Sequence, residues 1–175
     1  MPFCSRMLKA ERLQKFIQDG DTIVFGIGAD EMHRAQRITQ VYQLVSVKRG
    51  IDIKLRFPLI EFNVSKHEID RWLQDIGIEQ PYLYKLGFTH NNCSGGCVRA
   101  GKKQWKLLLD KLPDVYAERE RVENEVRDWL GKDVHYLKDE TLEQFRGRCE
   151  RGELSARYYK DDDFQGECMG ICTLF

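Results

Sequence analysis

The segment Thr22-Ile-Val-Phe-Gly-Ile27 is an unalternating apolar run bounded by Asp21 and Gly28. A strand with one wet face alternates, so this run predicts a strand covered on both faces, the habit of a parallel sheet. Its flanks predict helices. Residues 6–18 place Leu8, Leu13, Phe16 and Ile17 at helical intervals and stop at Asp19-Gly20. After the strand, the chain predicts a second helix from Met32 to Lys48, ending at Gly50, and then a strand from Ile51 to Ile60 interrupted by Pro58. Ser65 and Glu68 have capping-box spacing, and Ile69, Trp72, Leu73 and Ile76 form the apolar face of the helix they open. Helix alternating with strand is an α/β pattern.

From Gly77 to Gly101 the composition shifts to Gly, Pro, Asn and Cys, which marks an irregular, function-bearing stretch. Beyond it the pattern is helical. Lys102 to Leu112 and Pro113 to Leu130 read as two helices, the second carrying Arg/Glu pairs on a solvated face. A shorter helix spans Glu140 to Glu150, ahead of an acidic and then cysteine-bearing tail. The expected organisation is an α/β domain over residues 1–130 and a helical, cysteine-bearing tail over 131–175. Only two convincing strands are visible, so the parallel sheet is expected to be partial.

At 175 residues the chain can bury a core without disulfides. Its 28 basic and 28 acidic residues cancel, so no global field recruits nucleic acid or membrane, and any anion site must be local. The longest apolar runs fall far short of the ~20 residues a bilayer span needs. The first residues lack the apolar segment and cleavage site of a secretory signal, and a reducing cytoplasm is the expectation. In that setting six cysteines point to thiolate chemistry or a metal centre rather than bridges.

Cys93 and Cys97 form one C-x-x-x-C, and Cys168 and Cys172 another. A short glycine turn lets paired sulfurs converge on one metal or cluster. The plainer reading is that they are small buried apolar residues. Zinc sites more often show C-x-x-C, so an iron-sulfur cluster stands ahead of zinc. Cys149 fits a helix core, whereas Cys4 lies near Arg6 and Lys9, cations that favour a thiolate. Arg99, Lys102 and Lys103 follow the glycine turn and would form an anion pocket with helix N-terminal donors, or else a solvated basic face. Asp30, Glu31 and Arg34 follow the first strand, where α/β folds hold ligands. His90 is a candidate acid/base group or ligand, with a hydrogen-bonded structural histidine as the alternative. His33, His67 and His135 read as superficial, and Tyr82 and Tyr84 as base-stacking or packing rings. Trp72 and Trp105 stand at helical core positions.

Together "CSRMLKAERL", "GIGADEMHR", "FPLIEF", "GIEQPYLYKLGFTHNNCSGGCVRAGKKQW" and "LPDVYAERERVENEV" resemble the phosphoadenosine phosphosulfate (PAPS) reductase family. More closely they look like its phage and prokaryotic branch, within the adenine-nucleotide alpha-hydrolase or PP-loop superfamily. The likeness runs from residue 3 to about residue 126. It implies a Rossmann-like sheet binding an adenine nucleotide, ATP or PAPS, at the carboxyl ends of its strands, for sulfur reduction, sulfur transfer or adenylation. It also implies a 4Fe-4S cluster held by Cys4, Cys93, Cys97 and either Cys172 or Cys168, although Ser5 stands where related reductases carry a second leading cysteine. Glu31, Arg34, Arg99 and Lys102 would contact the nucleotide. Glu167-Cys168-Met169-Gly170 is similar to the Glu-Cys-Gly tail whose cysteine attacks the substrate sulfur, with Met169 as a departure. Cys168 and His90 are therefore the catalytic candidates.

The family's Ser-Gly-Gly-x-Asp-Ser loop does not occur in this sequence, since Ser94-Gly95-Gly96 is followed by Cys97. A fragment of a longer enzyme, a split protein whose partner chain supplies the loop, and a descendant without catalysis all remain open, and a homo-oligomer is the other expected partner. Two rival functions stand beside the leading one. One is a component of a nucleic-acid sulfur-modification system, and the other is a non-enzymatic binding partner.

Overall fold

In the computed structural model, residues 6–154 are described, and they divide into two units, 6–80 and 81–154. The break falls between Gln80 and Pro81 rather than at 130. Tyr116, Leu142 and Phe145 share one core, so the chain on both sides of 130 belongs together.

The first unit opens with a π turn, Arg6–Ala10, that runs into α1 (Glu11–Phe16). Gly20, at φ 82°, then turns the chain into β1 (Thr22–Val24). A 3-10 turn, Ala29–Glu31, leads into α2 (Met32–Arg49), which closes on Gly50 in the left-handed conformation at φ 63°. β2 (Lys54–Arg56) follows and pairs parallel with β1, Ile23 opposite Leu55. The expected strand over 51–60 is thus much shorter. Pro58 instead opens α3 (Pro58–Glu61), a first-turn position where its missing N–H costs nothing. Ser65 and Glu68 form the expected capping box on α4 (Lys66–Asp75).

A β-α-β unit with a two-stranded parallel sheet is therefore present, and the described chain is mixed α/β. Among the described residues the sheet is covered on one face only. Phe25, Ile27, Ile38, Val41 and Tyr42 bury together, with Phe25 stacked on Phe57 at 5.4 Å and edge-on to Tyr42 at 5.6 Å. On the other face Thr22, Lys54 and Arg56 are exposed and Val24 is 62% exposed, against the expectation of two covered faces. Arg49 ties the unit together by donating to the carbonyls of Gln14 (2.7 Å) and Ile17 (2.8 Å), which the end of α1 leaves unpaired. The apolar face expected of α4 is not a core face: Trp72 is 53% exposed and no residue of that helix is buried.

The second unit contains only helices and turns among its described residues. They are α5 (Tyr82–Lys85), a 3-10 turn (Cys93–Gly95), α6 (Lys102–Lys111), α7 (Pro113–Leu130) and α8 (Leu142–Glu150). α7 starts on Pro113 and ends on left-handed Gly131, while Thr141 and Gln144 cap α8 reciprocally. Trp105, Leu108, Tyr116, Leu142 and Phe145 form the centre of its core. The Tyr116 hydroxyl, buried there, donates to the Leu142 carbonyl at 2.7 Å. Among the described residues no helix is long and apolar enough to cross a membrane.

Candidate functional sites

Two of the expected sites can be built from described residues, one in each unit. In the first, the chain leaves β1 through Gly26 and Gly28. A Cβ on Gly28 would lie 2.6 Å from Asp30 Oδ1, so the carboxylate of Asp30 folds back over the turn only because residue 28 is glycine. The Ala29 amide donates to the Val64 carbonyl and the Glu31 amide to that of Gly28, both at 3.0 Å, which pins the turn. Arg34, one turn into α2, then pairs through Nη1 with Glu31 Oε1. Its side chain is 14% exposed, so the guanidinium is held half inside the protein at the carboxyl end of a parallel strand. The structure therefore brings Glu31 and Arg34 together.

In the second unit Cys93, Ser94 and Gly95 adopt three consecutive left-handed conformations, φ 52°, 52° and 86°. Only the third position is one glycine alone can fill, because a Cβ on Gly95 would meet Phe88 at 2.8 Å and Leu108 at 2.9 Å. Gln104, buried on α6, donates to the Gly95 carbonyl at 2.9 Å. Arg119 of α7 lies across Gly96 and reaches the Cys93 carbonyl at 3.3 Å. The turn is thus welded to both long helices.

That welding gives the two cysteines different surroundings. Cys97 is only 3% exposed and packs in the core, whereas Cys93 is exposed. Among the described residues no three His, Cys, Asp or Glu side chains gather as a metal site. Cys4, Cys168 and Cys172 lie outside the described residues. A cluster needs about four thiolates, so the described residues do not by themselves fit one. The cations after the turn are also differently employed than an anion pocket requires. Lys102 Nζ lies 3.8 Å from Asp139 and 3.9 Å from Glu140, and Glu140 in turn accepts from Arg148 at 3.1 Å. Carboxylates that close to Lys102 repel an incoming anion. Arg99 and Lys103 are exposed. His90 is half-buried, and its Nδ1 faces the Asn92 amide at 3.4 Å, the geometry of a turn-stabilising histidine.

Sequence reasoning missed a different cluster. α7 is not wholly solvated: Glu123 is 4% exposed, and its two carboxylate oxygens accept the Tyr136 and Leu142 amides, each at 2.7 Å. It clamps the 131–141 connection onto the helix. Beside it Val98, Val122, Val126, Val134, His135 and Tyr136 line a cleft. His135 is therefore not superficial, since its Nδ1 is bonded to the Leu137 carbonyl. Burial pushes the Tyr136 phenol above its ordinary range, with the nearby Arg119 guanidinium opposing that rise. The one available signal was Val122 and Val126 at i, i+4 on a helix otherwise rich in charge.

Set against protein-family models, curated proteins and solved structures, the chain matches none.

Proposed function

We propose that this chain is a PAPS reductase-like protein that binds an adenine nucleotide for sulfur reduction or sulfur transfer. The reading rests on the sequence likeness, and one observation carries it further: Arg34, oriented by Glu31, stands at the carboxyl end of β1 in a parallel β-α-β unit. Such positions are where open α/β sheets hold ligands. A guanidinium offers planar, paired N–H donors that suit phosphate or sulfate oxygens, and a carboxylate partner presets its orientation. In this reading the two strands are the nucleus of a Rossmann-like, adenine-nucleotide alpha-hydrolase sheet. Glu31 and Arg34 bind and orient the anionic end of the nucleotide, and Cys168 is the candidate nucleophile toward an electrophilic sulfur.

A second reading, a binding partner without turnover, is favoured by the open sheet face around Val24. Calorimetric titration with PAPS, ATP and AMP tests the first. PAPS or ATP should bind, and Arg34→Ala should weaken binding at least about tenfold, or 1.4 kcal/mol. Wild-type protein that binds none of the three overturns it. Binding without reduction of PAPS by added thiol donors selects the second reading. Iron, zinc and sulfide content of protein purified without oxygen decides whether the tail cysteines complete a cluster.

A further inference from the structure

We infer that the second unit carries a binding cleft for an uncharged, planar heteroaromatic molecule bearing an N–H donor. The cleft has a volume of about 310 Å³ and lies between α7 and the connection that follows Gly131. Liquid water occupies about 30 Å³ per molecule, so a two-ring heteroaromatic fits with room to enter.

Its walls define the class of ligand. Val98, Val122, Val126 and Val134 are β-branched and stiff, which favours a flat rigid body over a flexible one. The Tyr136 ring adds an aromatic wall, itself held by Trp105 at a centroid distance of 5.0 Å. Glu123 also lines the cleft, but both of its oxygens are already engaged by backbone amides. Its negative charge disfavours an anion, and its engaged oxygens leave it a poor partner for a cation.

Of the polar side chains that remain, Tyr136 and His135, the imidazole sets the orientation. A carbonyl oxygen can only accept, so the contact between His135 Nδ1 and the Leu137 carbonyl places the proton on Nδ1. In the neutral ring Nε2 is then an acceptor, and it complements a ligand N–H rather than a carbonyl. Apolar walls with an imidazole acceptor and the Tyr136 phenol among the lining side chains suit a neutral heteroaromatic ring. The inference is independent of the nucleotide reading, whose ligand is an anion in the other unit.

The probes are indole, 1-methylindole and benzoate, titrated into the isotopically labelled full chain and followed by amide chemical shifts. Indole should perturb residues 98, 122–126 and 134–136, 1-methylindole should bind several-fold more weakly, and benzoate should leave these amides unmoved. Val126 is partly exposed, so Val126→Trp should fill the cleft without unfolding the protein and abolish indole binding at an unchanged melting temperature. His135→Phe should erase the difference between indole and its methyl derivative. Absence of indole shifts at millimolar concentration, shifts elsewhere only, benzoate binding equal to that of indole, or undiminished binding to Val126→Trp would each overturn the inference.

Discussion

Of the six largest fully buried side chains among the described residues, five lie in the second unit (Trp105, Tyr116, Phe145, Leu108 and Leu142) and one, Tyr42, in the first. Both units leave some apolar side chains exposed, Trp129 and Val98 in the second, but the first leaves more, Val24, Val47, Phe62, Trp72 and Ile76 among them. Both units have amphipathic helices and good caps, so local structure does not account for the difference. Their connectivity does. In the second, α6, α7 and α8 follow one another closely and converge on Trp105 and Tyr116. In the first, α2 covers one face of a sheet of two short strands, and a two-stranded sheet offers too little surface to bury every apolar face around it. Stability is thus expected to reside mainly in the second unit, and the first leaves more of its large apolar side chains uncovered.

This contrast can be broken at graded cost. Trp105→Ala, which empties the centre of the second core, should cost about 3–5 kcal/mol in denaturant unfolding; a cost near zero would mean that core is not the stabilising one. Gly95→Ala should cost about 2–3 kcal/mol, because the added methyl meets Phe88 and Leu108 while the backbone remains left-handed. Glu123→Gln should cost about 1–3 kcal/mol, since an amide can accept at only one end and turns its NH₂ toward a buried N–H. Protection of the Tyr136 and Leu142 amides from hydrogen exchange should fall with it.

Alkaline pH should weaken the fold. Burial raises the phenol pKa values of Tyr42, Tyr116 and Tyr136 above their unfolded value. Stability from keeping them protonated is complete below about pH 10 and is lost as pH climbs through the higher folded values. Melting temperature should therefore decline above that point, and Tyr136→Phe should flatten the decline. The smallest effect belongs to the first unit, where Trp72→Ser should change stability by less than about 0.5 kcal/mol, as for a surface position. A loss comparable to that of Trp105→Ala would show that the α4 face is buried in solution.

Much of the local structure was legible. Gly50 ends α2 because glycine alone enters the left-handed cap without strain, Ser65 and Glu68 open α4 by satisfying each other's amides, and Pro113 opens α7. Each is a matter of residues a few positions apart. The parallel pairing of the two strands was legible too, although Pro58 and Gly26 shortened them. The sites were less so. Glu31 and Arg34 are neighbours on one turn, so their pairing follows from spacing. Cys93 and Cys97 have equally suggestive spacing, yet three left-handed residues bury one sulfur and expose the other. Lys102 read as a free cation because the carboxylates it meets, Asp139 and Glu140, lie 37 and 38 positions away along the chain.

The sequence by itself therefore determined where the long helices start and stop and which segments pair as strands, because capping, φ preference and apolar periodicity act over three or four residues. Tertiary structure alone decided which apolar faces are covered and which charges are answered. Those outcomes depend on which distant segments arrive, and Glu123, a charged residue on a charged helix, became a buried clamp only because two amides from beyond residue 135 came to it.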